Sequence, residues 1–282
     1  MNDRGIYRRV LLGAALGVLL LGGLVYVRKV EPEDVEVVPV SLVLPRLDAA
    51  FEGYRIAQIS DIHADGWMTP GRVLSLVNLV NAEAPDLVTI TGDFATYSRF
   101  RFLIRHASRL IAPLRRLQAT DGVVAVLGNH DHKTDARTVR RVLAASGVIE
   151  LHNAVLTLRR GGESLYLCGV DDLKEGTPRL DRALEGLSEE GAAVLLAHEP
   201  DFADESAATG RFDLQLSGHS HGGQVGVPLL RYPFLPKLSR QYPTGLYRVG
   251  DMFLYTNRGL GAHPRFRFNC RPEITVFTLR SP

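Results

Sequence analysis

Leu87-Val88-Thr89-Ile90-Thr91-Gly92-Asp93 runs five apolar or β-branched residues into a glycine and a carboxylate. Such a run reads as a buried strand, and the glycine permits a sharp exit that leaves the acid on a loop. The same plan recurs on both sides of it. Residues 55–60 lead to Asp61-Ile62-His63, residues 123–127 to Gly128-Asn129-His130-Asp131, residues 193–197 to His198, and residues 213–217 to Gly218-His219-Ser220-His221. Loops leaving the carboxyl ends of strands gather at one rim of an α/β sheet, so clusters distant in sequence can meet there.

The intervening segments alternate. Residues 72–84 carry Val73, Leu74, Leu76, Val77 and Val80 at helical spacing behind Thr69-Pro70, which predicts a capped helix. Residues 102–117 predict a second helix despite Pro113, and residues 135–145 a third that feeds a short strand at 148–151. Beyond Leu151 the texture is mostly short β-like runs, at 155–158, 164–170, 214–217, 252–256 and 274–279. The expected fold class is α/β, two packed mixed sheets flanked by helices. Residues 35–44, bounded by Pro39 and Pro45, read as an extended entry segment, so the expected division is 1–34 for an anchor and linker and 35–282 for one catalytic domain.

Composition excludes several classes. With 45% hydrophobic and 23% charged residues in 282, the chain can bury a large core and is not disordered. Lys and Arg total 33 against 31 acids, a net charge of +2, so no basic field argues for nucleic acid. Arg265-Phe266-Arg267-Phe268 reads as a packed edge rather than a binding module. The two cysteines, Cys168 and Cys270, form no CxxC pair, which leaves imidazole, amide and carboxylate as metal donors, and Cys168 reads as a small core residue.

Residues 10–27 carry no charge and would span about 27 Å as a helix at ~1.5 Å per residue, near the thickness of a bilayer interior. Arg4, Arg8 and Arg9 precede it and favour a cytoplasmic amino terminus, while Arg28 and Lys29 follow and blunt the asymmetry. No A-x-A-like cleavage site follows, so an uncleaved anchor in a bacterial inner membrane is expected, with the catalytic domain leaning extracytoplasmic. Arg8-Arg9-Val10-Leu11-Leu12 also fits a twin-arginine export signal, with ordinary topology-setting charge as the alternative.

The chemistry follows from the residue types. In an extended segment Asp61 and His63 project to one side and Ile62 to the other, and His219 and His221 repeat that geometry between glycines. Asp93 can bridge two cations through its two oxygens, and Asn129 can add a neutral amide oxygen. Taken singly, each cluster is also an ordinary turn, and His198 also reads as a core histidine. Together they point to a two-metal site, which suits phosphate ester hydrolysis because paired cations polarise phosphoryl oxygen, activate water and neutralise developing charge.

In order, these blocks resemble those of the calcineurin-like metallophosphoesterase superfamily over about residues 50–282, nearest its bacterial membrane-associated branch. Ser60-Asp61-Ile62-His63, the Gly218–Gln224 stretch and Asn257-Arg258-Gly259-Leu260-Gly261 carry that likeness. The resemblance implies a four-layer sandwich, a first metal on Asp61, His63, Asp93 and His221, a second on Asp93, Asn129, His198 and His219, and His130 as the catalytic residue facing substrate. Many members place an acid three residues after the bridging aspartate to orient that histidine; here Thr96 occupies the position, and Asp131 is the alternative acid. Nitrogen and oxygen donors suit Mn, with Fe or Zn as the other options.

Leu229, Leu230, Tyr232, Phe234 and Leu235 form an apolar loop soon after the histidine pair. With the anchor, it predicts a membrane-associated or lipid-linked phosphodiester or pyrophosphate as substrate. UDP-2,3-diacylglucosamine pyrophosphohydrolase activity in lipid A synthesis is one alternative, a membrane-tethered metal-binding module without catalysis another. The sequence leaves the oligomeric state open.

Overall fold

Twelve strands run through the described residues (3–97, 104–227, 234–262 and 264–282) of this computed structural model. In chain order they are β1 (Glu36–Val43), β2 (Arg55–Ile59), β3 (Leu87–Thr91), β4 (Val123–Val126), β5 (Ile149–Glu150), β6 (Ala154–Arg160), β7 (Glu163–Gly169), β8 (Ala193–Leu196), β9 (Leu214–Ser217), β10 (Gly245–Val249), β11 (Met252–Thr256) and β12 (Glu273–Arg280). One sheet has the order β1-β12-β2-β3-β4-β5, the other β10-β11-β9-β8-β7-β6. The helices are α1 (Asp3–Val25), α2 (Pro70–Ala82), α3 (Ile104–Ala107), α4 (Ile111–Leu114), α5 (Asn129–Ser146), α6 (Leu180–Glu185) and α7 (Ala203–Ala208).

Strand alternation sorts the side chains into three buried layers. In β2 and β3, Ala57, Ile59, Val88 and Ile90 face Val73, Val77, Leu114 and Val142 of the flanking helices. Their neighbours Ile56 and Leu87 turn the other way and meet Val194, Leu196, Leu214 and Leu216 between the sheets. The opposite residues of the second sheet, Ala193, Leu195 and Cys168, pack under Ala183 of α6 and Ala203 of α7. The result is the expected helix, sheet, sheet, helix stack. Each fully buried aliphatic side chain adds ~1.5–3 kcal/mol to it.

Within each sheet the strands that carry the polar clusters are parallel: β2 with β3, β3 with β4, and β8 with β9. Their carboxyl ends therefore point the same way. One buried polar side chain ties the sheets together just beneath that rim, where Gln58 donates from Nε2 to Ser217 O at 2.9 Å and Thr91 Oγ1 at 3.1 Å.

Some elements depart from the sequence reading. The helix expected over 102–117 is broken into α3, a 3-10 turn at Ser108–Leu110 and α4, with residues 102 and 103 outside the described residues. Pro113 explains the break, since its ring crowds the carbonyl four positions earlier, that of Arg109 in the turn. Helix α5 begins at Asn129, six residues before the expected start, with a kink at Asp135 (φ −178°, ψ 92°). Asp135 caps the second half by accepting from Thr138 N at 3.2 Å. The first half was hidden because it carries site residues in place of an apolar stripe.

At the amino terminus, α1 and its continuation contain the one segment among the described residues long and apolar enough to cross a membrane. From Leu11 to Tyr26 its side chains are exposed, Leu19 by 72%. Residues 27–33 pack on the domain: Val27 O accepts from Arg267 N at 2.9 Å, buried Glu31 accepts from Cys270 N, and Pro32 O accepts from Arg72 Nη2 at 2.6 Å. Of the expected apolar loop, Leu229, Leu230 and Tyr232 lie outside the described residues; Phe234 is 68% exposed.

Candidate metal centre

Five loops leave the aligned strand ends and lock to one another by main-chain hydrogen bonds. Asp61 N donates to Gly92 O (3.0 Å), His63 N to Asp93 O (2.9 Å), and Gly218 N to His198 O (3.0 Å). The two sheets are joined where His219 N donates to Asp61 Oδ2 (3.0 Å) and His198 Nδ1 to Thr91 O (2.7 Å).

Convergence of the donors does not come from extended alternation. Asp61, His63, Asp93, His219 and His221 all have positive φ, between 50° and 66°. A strand carries its side chains perpendicular to the sheet, whereas left-handed turns swing them inward over the rim while Ile62 stays in the core. Strained conformations of this kind persist only where surrounding contacts hold them. Gly128 shows how tight that shell is, since a Cβ there would lie 2.4 Å from Asp93 Oδ1 and 2.8 Å from His198 Cε1.

Two groups of donors result. In the first, His63 Nε2 and His221 Nε2 face each other at 3.0 Å, with Asp61 Oδ1 3.9 and 3.4 Å away. In the second, His198 Nε2 and His219 Nδ1 stand 3.1 Å apart. Asp93 Oδ2 belongs to both, 3.6 Å from His63 Nε2 and 3.4 Å from His198 Nε2. Asn129 opens on the same cavity, of ≈ 390 Å³, together with His63, Asp93, His130, His219 and His221.

This donor set fits divalent cations. Asp61 Oδ1 and Asn129 Oδ1 are buried without a hydrogen-bond partner among the described residues, a costly state that a cation relieves. Carbonyl oxygens set the tautomers of the second group. His198 must donate from Nδ1 to Thr91 O, and His219 from Nε2 to Lys237 O at 2.9 Å, which turns Nε2 of the one and Nδ1 of the other toward Asp93.

Charge is distributed unevenly. Burial alone would raise Asp93, but His198 and His130 hold it well below the ordinary range. Burial opposes charge on His198 too, yet Asp93 pushes its pKa well up, so the metal-free pair is ionic. Burial, reinforced by neighbouring imidazoles, keeps His219 down to about 3 and His221 well below its usual value. Ions entering this site displace protons, so affinity rises with pH.

His130 lies at the mouth of the cavity. Its Nδ1 accepts from Tyr97 N at 3.1 Å, which in the neutral ring puts the proton on Nε2. Thr96 is buried, and its Oγ1 has no hydrogen-bond partner among the described residues. Asp131 is a clamp instead, accepting from Ala95 N (2.9 Å) and Gly128 N (3.0 Å) and tying the loop after β3 to the loop after β4. Sequence reading missed Gln58, Lys133 and Lys174. The two lysines line the cavity, but nothing in Lys133-Lys174 spacing marks them as neighbours.

Behind His198 sits a buried carboxyl pair, Glu199 and Asp172. Glu199 Oε2 accepts from Leu173 N at 3.2 Å, while Glu199 Oε1 and Asp172 Oδ2 lack other partners among the described residues. Burial raises the Glu199 pKa to about 8, and Asp172 adds to the rise. A folded pKa above the unfolded value means that the native state binds the extra proton, so stability falls as pH rises from about 4.5 to about 8. Glu199→Gln supplies that proton permanently. Metal-free Glu199→Gln should lose most of this pH dependence and exceed the parent by ~2–3 kcal/mol at pH 8 in urea unfolding; an unchanged slope between pH 5 and 8 would contradict the shared proton.

Comparison with known proteins agrees with this geometry. Residues 54–223 match the family model described as calcineurin-like phosphoesterase. "Uncharacterized metallophosphoesterase YkuE" of Bacillus subtilis (strain 168) is 33% identical over 100% of this chain and 98% of its own length. "Phosphodiesterase YaeI" of Escherichia coli (strain K12) is 29% identical over 96% and 98%. "Transmembrane protein with metallophosphoesterase domain" of Danio rerio is 32% identical over 87% of this chain and 57% of its own. One solved structure superposes with a TM-score of 0.50 at 14% identity, over 73% of this chain and 90% of that one, a likeness of fold alone. The chain thus belongs to the calcineurin-like phosphoesterases, hydrolases that bind two divalent metal ions.

Proposed function

We propose that Asp61, His63, Asp93 and His221 hold one divalent ion and Asp93, Asn129, His198 and His219 a second, Mn in preference to Fe or Zn, and that the centre hydrolyses a phosphodiester presented at a membrane. The observation that carries this reading is the double membership of Asp93, whose Oδ2 stands within 3.6 Å of a nitrogen from each group. When bound, the two ions supply a polarised phosphoryl oxygen and an activated water.

The chain's own residues do the rest. His130 offers Nε2–H to the phosphoryl or leaving oxygen, with Tyr97 N holding its tautomer. Lys133 and Lys174 line the wall of the cavity and favour an anion, while exposed Phe234 and half-buried Leu235 offer an apolar edge to an acyl chain or alcohol. A diester is favoured because YaeI, similar over nearly the whole chain, is named a phosphodiesterase.

Residues 1–34 act as an uncleaved anchor and linker and residues 35–282 as the catalytic domain. The exposed apolar helix supports the anchor, and Arg4, Arg8 and Arg9 ahead of it favour a catalytic domain on the extracytoplasmic side.

The test is turnover by the full-length chain in detergent with Mn²⁺, on bis(p-nitrophenyl) phosphate, p-nitrophenyl phosphate and phosphatidylglycerol vesicles. Diesters should be cleaved at least ~10-fold faster than the monoester, and EDTA should abolish turnover until Mn²⁺ is restored. No diester cleavage with Mn, Fe or Zn would end the proposal. His130→Ala should lower kcat by ~10²-fold while two Mn²⁺ ions still bind in equilibrium dialysis.

A further inference from the structure

The largest fully buried side chain among the described residues is a cation, Arg267, 0% exposed. A buried guanidinium costs several kcal/mol unless its donors are satisfied. Both terminal nitrogens go to main-chain carbonyls, Nη1 to Cys270 O at 3.1 Å and Nη2 to Arg258 O at 2.8 Å, Gly259 O at 3.0 Å and Gly261 O at 2.6 Å, while Nε is buried without a hydrogen-bond partner among the described residues.

Three of those carbonyls belong to the turn that presses on the first group of donors. From that turn Leu260 N donates to Ser60 O (2.9 Å) and Gly261 N to Asp61 O (2.7 Å). A Cβ on Gly259 would stand 2.7 Å from Asp61 Cβ, and one on Gly261 3.0 Å from His63 Cβ. On the other flank, Cys270 Sγ donates to His221 O at 3.2 Å. Asp61, His63 and His221 each sit at φ 50°, so contacts beyond their own segments must hold them in place. The far side of the Arg267 segment is fastened in turn to the exit of the amino-terminal helix, through Val27 O and Glu31.

We propose that Arg267 is a positioning residue, which shapes the 258–261 turn so that Asp61, His63 and His221 meet a single divalent ion, without itself touching ion or substrate. The inference rests on the ligand assignment proposed above.

Full-length Arg267→Met, Arg267→Lys and Gly261→Ala are compared with the parent by Mn²⁺ titration, followed by equilibrium dialysis and by EPR, with thermal melting of the metal-free proteins alongside. The parent should take up two ions. Arg267→Met should weaken one of them by ~10–100-fold and leave the other unchanged, so that the spin-coupled signal of the pair gives way to that of an isolated ion. Arg267→Lys should rescue little, because an ammonium cannot fork to the same carbonyls. Gly261→Ala, which displaces the turn with Arg267 in place, should reproduce the one-site loss. A purely structural role would weaken both ions together; that result, or two ions at parental affinity in Arg267→Met or in Gly261→Ala, overturns the proposal. Failure of both Arg267 variants to fold also overturns it, since the residue would then serve the whole domain. A parent chain that takes up no Mn²⁺ is a different failure, that of the ligand assignment.

Discussion

Asp93→Asn is expected to reduce diester turnover by ~10³-fold or more and to leave at most one Mn²⁺ tightly bound. The substitution keeps the size of the side chain and an oxygen to accept His130 N, which now donates to Asp93 Oδ1 at 2.8 Å. What it removes is the negative charge shared by two groups of imidazoles. Each of the other proposed ligands serves one ion, so its loss weakens one site; loss of the Asp93 charge weakens both and leaves the two cations without an anion between them. In the metal-free protein the same change dissolves the ion pair with His198, whose pKa is held well up by Asp93. The measurements are kcat on bis(p-nitrophenyl) phosphate with saturating Mn²⁺ and metal content after dialysis. A variant that keeps more than about a tenth of the parental kcat and both ions would remove Asp93 from the bridge.

How far the site could be read in the sequence depended on which signals are local. Strands β3, β4 and β8 announce themselves as continuous apolar runs, because both of their faces are covered, by helices and by the other sheet. Each such run ends one or two residues before a polar cluster, so Asp93, Asn129 and His198 could be placed at strand ends directly. Asp61 and His63 do converge, but not through the expected extended face. Their φ of 50° is a property of the loop's tertiary contacts, with Gly259 and Gly261 pressed against it from almost 200 residues away. Arg267 was legible only as part of an alternating Arg-Phe pattern, which cannot tell an exposed edge from a guanidinium sealed among carbonyls. The start of α5 was concealed for a related reason: Asn129, His130 and Asp131 open that helix, and residues chosen for chemistry interrupt the periodicity by which helices are recognised.

Gly218→Ala should destabilise the fold by ~3 kcal/mol and lower turnover by at least ~10²-fold. A Cβ at this position would lie 1.9 Å from Ser60 Oγ, 2.4 Å from Asp61 Oδ2 and 2.9 Å from Ser60 Cβ. Small clashes with the tip of a side chain are normally relieved by rotation. Ser60 has no such freedom, for it is fully buried and its hydroxyl donates to Asp61 Oδ2 at 2.6 Å, with Thr91 O at 3.2 Å. The strain therefore passes to Asp61 and to the junction between the sheets, where His219 N leans on the same carboxylate oxygen. Because the nearest atom is the Ser60 hydroxyl, adding Ser60→Ala should remove the worst contact and recover part of the loss in urea unfolding, while the remaining approaches of 2.4 Å to Asp61 Oδ2 and 2.9 Å to Ser60 Cβ keep recovery incomplete. Gly66→Ala serves as the control, since a Cβ there meets nothing within 4 Å. If Gly218→Ala melts and turns over like Gly66→Ala, the two sheets are not pressed together at Asp61 and His219 as described, and the shared rim loses its physical basis.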